Sequence, residues 1–269
     1  MPELPEVETT LRGIEPWLRD AVIHQVVVRE PRLRWPVPAE VRGAAGQAVR
    51  GVQRRGKYIL INLERGSLLL HLGMSGSLRV LTEASPPGKH DHFDIELAGC
   101  TIRYNDPRRF GTLLWLEPPP GRHPLLASLG PEPLSGAFDG DYLYRRSRGR
   151  KLAVKNFIMD GRVVVGVGNI YASEALYMAG IHPLRAAGRV SRARYRGLAE
   201  SIADVLQRAI RQGGTTLRDF SGAGGLPGYF AQDLLVYARA GQQCFQCAGE
   251  IRQKVIGQRA SYYCAVCQR

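Results

Sequence analysis

Apolar residues recur at Val7, Leu11, Ile14 and Leu18, and that spacing lays one stripe along one face of a helix. It predicts a helix over Pro5 to Arg19. Pro5 suits the first helical position, and Glu6 and Glu8 favour the positive end of the helix dipole. The period then changes. Val22–Val28, Tyr58–Leu63, Ser67–Leu72, Phe93–Leu97, Thr101–Tyr104 and Thr112–Leu116 are short runs rich in branched or aromatic residues. Turn signals such as Glu64-Arg65-Gly66 separate them, so they read as strands. Connections this short leave no room for helical crossovers, which points to an antiparallel sandwich or barrel.

Helical periodicity returns in the second half. Its strongest instance is Ser191 to Gln212, with Leu198, Ile202, Val205, Leu206 and Ala209 inward and Gly213-Gly214 as the stop. A shorter helix is expected from Asn169 to Met178, ending at Gly180. Two breaker clusters, Glu117-Pro118-Pro119-Pro120-Gly121 and Leu129-Gly130-Pro131-Glu132-Pro133, separate the two regimes. The expected division is therefore 1–130 for the β-rich part, 131–237 for the helical part and 238–269 for a tail. The Gly-rich stretch Gly222–Gly228 reads as a mobile loop, flanked by Thr215, Thr216 and Tyr229.

The tail from Gln243 is too short to build a core and needs a staple. Cys244-x2-Cys247 and Cys264-x2-Cys267 are separated by 16 residues, within the four-cysteine zinc pattern. Four thiolates complete a tetrahedron and leave no position for water, so such an ion is structural. The alternative is two disulfides, which the apparent cytosolic context disfavours. Ile251–Val255 and Ser261–Tyr263 are expected to pair as a hairpin between the two cysteine pairs. Cys100, in a strand-like run, reads as a buried inert thiol.

Charge narrows the class of partner. Among 269 residues, 37 are Lys or Arg and 24 are Asp or Glu, a net charge of +13. A surplus that large points to a polyanion, most simply nucleic acid. Only Lys57, Lys89, Lys151, Lys155 and Lys254 are lysines, so 32 of the cations are arginine, the residue suited to bidentate phosphate contacts. No apolar run approaches the roughly 18 residues that span a membrane. No basic stretch followed by an apolar one opens the chain, so secretion is not expected.

The start, Met1-Pro2-Glu3-Leu4-Pro5-Glu6, carries candidate chemistry. Removal of Met1 ahead of the small Pro2 would leave a secondary amine at the terminus. An α-amino group titrates near 7.7–8.0, so it is partly unprotonated at neutral pH, unlike a lysine at about 10.4. Such an amine forms a Schiff base with a carbonyl-level carbon, and the adjacent Glu3 carboxylate can move protons. By itself Pro-Glu is equally an ordinary charged start ahead of a helix.

Further segments change that balance. The start, Gln53-Arg54-Arg55-Gly56-Lys57-Tyr58, His71-Leu72-Gly73-Met74-Ser75-Gly76, Asp106-Pro107-Arg108-Arg109-Phe110-Gly111, Gly166-Val167-Gly168-Asn169-Ile170-Tyr171-Ala172-Ser173-Glu174 and Gln258-Arg259-Ala260 together resemble bacterial formamidopyrimidine-DNA glycosylase, also called 8-oxoguanine-DNA glycosylase. The resemblance runs in order over essentially the whole chain. It implies an α+β fold: an N-terminal antiparallel β-sandwich with flanking helices, then a helical domain with a helix–two-turn–helix and a β-hairpin zinc finger. It implies an enzyme that binds duplex DNA as a monomer in the bacterial cytoplasm. Oxidised purines are excised, and the strand is then cut at the abasic site by β- and δ-elimination.

The resemblance also assigns roles. Pro2 is the nucleophile, Glu3 handles protons at the sugar ring oxygen, Lys57 is a further acid/base residue, and Arg259 assists the second elimination. A guanidinium stays protonated, so phosphate stabilisation is the preferred role for Arg259. Met74, Arg108 and Phe110 fill the stack vacated by a flipped nucleotide. Core packing is the competing reading for Met74 and Phe110. His90 and Arg108 match DNA-contacting positions, and Asn169 matches a phosphate-gripping residue at a helix start, where it could equally act as an N-cap. Arg150 stands where the family commonly has Lys, which keeps a phosphate contact but not a lysine-specific role. Cys244, Cys247, Cys264 and Cys267 hold one structural zinc. Two other readings compete: a sister endonuclease VIII-like glycosylase for oxidised pyrimidines, disfavoured by Leu4 and the Asp-Pro-Arg-Arg-Phe-Gly block, and a non-catalytic zinc-finger DNA-binding protein.

Overall fold

The computed structural model describes residues 2–214 and 233–269. Met1, the Gly222–Gly228 loop and its neighbours Thr215, Thr216 and Tyr229 lie outside the described residues. The chain forms two units. Described residues of the first lie in 2–128 and 212–214, and those of the second in 129–211 and 233–269.

The first unit opens with helix α1 (Leu4–Leu18), one residue earlier than the pattern predicts. Eight strands follow: β1 (Ile23–Val28), β2 (Val49–Arg55), β3 (Tyr58–Leu63), β4 (Ser67–His71), β5 (Ser77–Leu81), β6 (Asp91–Leu97), β7 (Cys100–Asn105) and β8 (Thr112–Leu116). A short helix, α2 (Pro124–Ala127), ends the unit's main run. The strands make two four-stranded sheets, in the orders β1-β6-β7-β5 and β2-β3-β4-β8, and every pairing is antiparallel. The α1 stripe of Val7, Leu11, Ile14 and Leu18 is buried in one cluster with Ile59, Ile61, Leu68 and Leu70 of one sheet and Phe93, Ile95 and Ile102 of the other. Each such side chain contributes about 1.5–3 kcal/mol on burial, so the helix is part of the sandwich core. Cys100 is buried there too, and burial pushes its thiol pKa up, which suits an inert residue.

Six strands lie where the apolar runs predict them. β2 and β5 do not announce themselves. β2 carries Arg50, Arg54 and Arg55 and is half exposed, and β5 buries only Leu78 of its five residues. Both depend on their partners β3 and β7 rather than on an apolar run of their own.

A charged cluster crosses the β1-β6-β7-β5 sheet. Asp94 on β6 receives bidentate bonds from Arg29, at 2.6 and 3.1 Å, and from Arg103, both at 2.9 Å. Arg103 also donates to Ser85 O at 2.9 Å, and Asp91 accepts from the Gly88 N–H at 2.8 Å. These bonds tie down the loop that leads to His90. Burial would raise the Asp94 carboxyl, but the two guanidinium groups outweigh it and hold the pKa below its ordinary value.

In the second unit α3 (Gly140–Ser147), α4 (Val154–Met159), α5 (Asn169–Met178) and α6 (Arg192–Arg211) surround a core that includes Phe157, Leu176, Leu198 and Ile202. Asp139 caps α3 by accepting the Tyr142 N–H at 2.6 Å. A Cβ on Gly140 would meet the Arg196 backbone at 2.3 Å, so α3 and α6 touch main chain to main chain. The unit closes with the hairpin β9 (Ile251–Ile256) and β10 (Arg259–Cys264).

Asp94→Ala leaves the buried Arg103 without its bidentate partner, and the expected loss is about 3–5 kcal/mol in denaturant unfolding. The Asp94 contribution is present above its unfolded pKa of about 3.9 and is lost as pH falls through the lower folded value. Wild-type stability should therefore fall more steeply than that of Asp94→Ala below about pH 4.

Candidate active site and nucleic-acid interface

Pro2 is buried, and Glu3 is 2% exposed at the start of α1. Glu3 takes the N-cap position with an extended backbone and donates its N–H to Glu6 Oε2 at 2.8 Å, half of a capping box. The first residues of the chain are thereby fixed on a helix that is itself embedded in the core. Glu6 is also 2% exposed. A Cβ at Gly214, whose φ is +80°, would come within 3.0 Å of Glu6 Oε1, so glycine serves there both for conformation and for space.

Lys57 is half-buried in the turn between β2 and β3, where Gly56 has φ +58°. Arg54 binds both Glu8 Oε2 and Gly56 O at 2.9 Å, joining α1 to that turn. His71, at the end of β4, stacks obliquely on Tyr58 with ring centres 5.0 Å apart. Burial, then the positive charges of Lys57 and Arg34, lower the His71 pKa to about 4. The ring is neutral at physiological pH. Its Nδ1 accepts the Gly73 N–H at 3.0 Å, so the proton sits on Nε2 and that nitrogen is a donor. The sequence motif contains His71, and the fold sets it beside Lys57.

Met74, Arg108 and Phe110 are brought together. Met74 is 37% and Phe110 42% exposed, which rules out core packing for both. The Gly73 backbone, at φ +69°, lies so close to Phe110 that a Cβ would be 2.5 Å from its carbonyl carbon. Arg108 holds its guanidinium 5.0 Å from the Phe110 ring centre. Beneath them Asp106 is fully buried. Its carboxylate accepts from Ser75 Oγ (2.6 Å), the Arg108 N–H (3.1 Å), the Gly111 N–H (2.9 Å) and Tyr104 OH (3.1 Å). His90 joins the same base, its carbonyl accepting the Asp106 N–H at 3.0 Å. His92 is buried with Nε2 2.7 Å from Asp106 O, so the two histidines serve this loop.

The other candidates belong to the second unit. Asn169 is the first residue of α5 and Gly168 is its N-cap, which corrects the capping role considered for Asn169. Its side chain instead donates to Ala260 O (2.9 Å) and accepts from Lys155 Nζ (2.7 Å). Lys155 is wholly buried and also reaches Ser261 Oγ at 2.6 Å. Arg259 is exposed directly after a two-residue turn in which Gly257 and Gln258 have φ of 57° and 62°, the geometry that matches strand twist in tight hairpins. Arg150 is exposed, and its carbonyl accepts the Gly188 N–H at 2.9 Å. The sequence pattern assigns no role to Lys155 or Glu174. The available signal was a single charge inside an apolar run, Val154-Lys155-Asn156-Phe157-Ile158 for one and α5 for the other.

The Sγ atoms of Cys244, Cys247, Cys264 and Cys267 all lie within 4.8 Å of one another. Cys244 and Cys267 are 3.8 Å apart, and Cys247 and Cys264 3.5 Å. Disulfides require about 2.05 Å. Four thiolates at about 2.3 Å from one ion stand about 3.8 Å apart, so the donor set fits a tetrahedral metal. Among the described residues this is the one such cluster, and no helix among them is long and apolar enough to cross a membrane.

Comparison with known proteins agrees across the whole chain. Residues 1–113 match the Formamidopyrimidine-DNA glycosylase N-terminal domain, and residues 129–221 match the Formamidopyrimidine-DNA glycosylase H2TH domain. A Formamidopyrimidine-DNA glycosylase of Syntrophotalea carbinolica is 63% identical over 271 residues, covering 100% of both chains. The crystal structure of the MutM (Fpg) protein from Thermus thermophilus superposes with a TM-score of 0.90 at 38% identity, covering 99% of this chain and 98% of that one. A Lactococcus lactis FPG mutant in complex with Fapy-dG containing DNA gives 0.92 at 31% identity, with 100% of each chain covered. The chain belongs to the formamidopyrimidine-DNA glycosylase family.

Proposed function

We propose that this chain is a base-excision repair enzyme that removes oxidised purines from duplex DNA and then cuts the abasic strand. The observation that carries the reading is the buried Pro2-Glu3 start, clamped to the core-embedded α1 in a chain 63% identical along its length to a named glycosylase. Loss of Met1 frees the Pro2 amine. That amine attacks the sugar C1′, a bond from nitrogen to carbon forms, and the bond to the damaged base breaks. Glu3 protonates the sugar ring oxygen as the ring opens to an iminium. The iminium withdraws electrons, so the C2′ proton is lost and the 3′-phosphate leaves. Lys57 serves as a further acid/base group, and Arg259 stabilises phosphate for the second elimination.

Met74, Arg108 and Phe110 form the wedge that occupies the space of the flipped nucleotide. An exposed apolar pair backed by a guanidinium suits that task, because the wedge must replace stacking on both sides. His90, Arg150 and Asn169 contact the phosphate backbone. We assign 1–130 to catalysis, 131–237 to backbone binding and 238–269 to a finger holding one zinc ion. The enzyme works as a monomer in the bacterial cytoplasm.

Borohydride reduction during turnover of DNA with 8-oxoguanine opposite cytosine should trap a covalent adduct through Pro2, identified by peptide mass. A retained Met1 or an N-terminal tag should abolish the adduct and leave binding intact; equal trapping by a tagged enzyme places the nucleophile elsewhere. Glu3→Gln should slow single-turnover excision by roughly 10²–10⁴-fold, with a near-native melting temperature separating chemistry from loss of the cap. Binding should weaken by roughly 40-fold or more between 50 and 200 mM salt, as three or more phosphate contacts dictate, and a flat titration would contradict the assigned interface.

A further inference from the structure

One polar contact of the cysteine cluster comes from outside the finger. The hydroxyl of Tyr177, on α5, lies 3.1 Å from Cys244 Sγ. Tyr177 is 2% exposed and packs in one cluster with Val236, Cys244, Ile251 and Cys264. Among the described residues its hydroxyl has no other hydrogen-bond partner. A phenol buried this deeply is retained where its O–H finds an acceptor. A metal-bound cysteine is a thiolate and can only accept, so in the loaded finger the hydroxyl donates and the sulfur receives.

The same helix face grips the finger a second time. Glu174, one turn before Tyr177 on α5, accepts the backbone N–H groups of Leu235 (2.8 Å), Val236 (3.0 Å) and Tyr237 (2.8 Å). Those residues begin the segment that leads into Cys244. The helix that starts at Asn169 therefore holds both the segment that enters the finger and one of its sulfurs. Hydrogen bonds to a coordinating atom orient it and tune its donor strength, and their removal typically costs 10–100-fold in metal affinity.

We propose that Tyr177 is a positioning residue for the metal, a hydrogen-bond donor that holds the Cys244 thiolate in place and slows release of the ion. The proposal rests on reading the cluster as a zinc site, and the two fail differently. Wild-type protein that carries no stoichiometric metal would sink the zinc reading. Metal bound normally but indifferent to Tyr177 would sink this one.

Tyr177→Phe is the test, because it removes the hydroxyl, keeps the ring and leaves no polar group unpaired. Zinc transfer from holoprotein to a colorimetric chelator should be about 10-fold faster in Tyr177→Phe than in wild type. In cobalt-exchanged proteins the thiolate-to-metal charge-transfer band should move to lower energy, since a sulfur without its donor gives up electrons more readily. A role in packing alone would leave that band unmoved. Equal transfer rates and superimposable cobalt spectra overturn the proposal. If Tyr177→Phe does not fold, wild-type protein loaded with the NMR-active cadmium isotope decides the matter. The slowly exchanging Tyr177 hydroxyl proton should then show scalar coupling to cadmium through the sulfur, and a visible hydroxyl signal without coupling overturns it.

Discussion

The exposed side chains of Met74 and Phe110 depend on a carboxylate beneath them that has no exposed surface. Asp106 gathers Ser75, Tyr104 and the Arg108 and Gly111 N–H groups into one set of bonds, and so fastens together the two loops, β4–β5 and β7–β8, that each cross from one sheet to the other. A buried carboxylate is costly unless fully bonded, and here each oxygen takes two donors. The cost of that burial is offset by rigidity where rigidity is useful. Met74 and Phe110 can stand in solvent without collapsing onto the core because their backbones are held from below, and Gly73 lets those backbones meet with nothing between them.

The second unit solves a similar problem with the opposite charge. Lys155 is wholly buried and donates to Asn169 Oδ1 and Ser261 Oγ, both neutral oxygens. Its position couples α5 to the finger hairpin, so the residue that follows the tight turn, Arg259, is presented from a fixed platform. Gln268 completes the seam, accepting the Cys264 N–H and donating to Ile181 O. A finger of this size has almost no core of its own, and these directional bonds supply the orientation that apolar packing cannot.

Much of the fold was legible because periodicity reports burial. α1, α5, α6 and six strands show their apolar pattern, and the cysteine spacing specifies a four-sulfur site without any structural help. β2 and β5 were invisible for the same reason: they bury too little to leave a pattern, and neighbours impose their conformation. Of the candidate site, Met74, Phe110 and the start of the chain stand out in motifs, whereas the environments of His71, Lys155, Glu174 and Tyr177 are made by contacts distant in sequence. A histidine is neutral or charged according to what surrounds it, and no local pattern encodes the Lys57 and Arg34 that settle the state of His71. Asn169 shows the converse limit. A residue type that suits a cap was given the next position along, and its amide was used elsewhere.

Chain ends in most proteins fray, because nothing beyond them is lost when they move. Here the first residues continue without a linker into α1, whose Leu4, Ile14 and Leu18 have no exposed surface. Pro2 and Glu3 are thus an extension of the hydrophobic core, and their freedom is that of core residues. Mutational tolerance follows from this. Substitutions in the α1 stripe or the sheets beneath it cannot be neutral for the start of the chain merely because they are remote from it, since any loosening there is delivered directly to Pro2 and Glu3. In this unit, the residues that fix Pro2 and Glu3 are the residues that stabilise the fold.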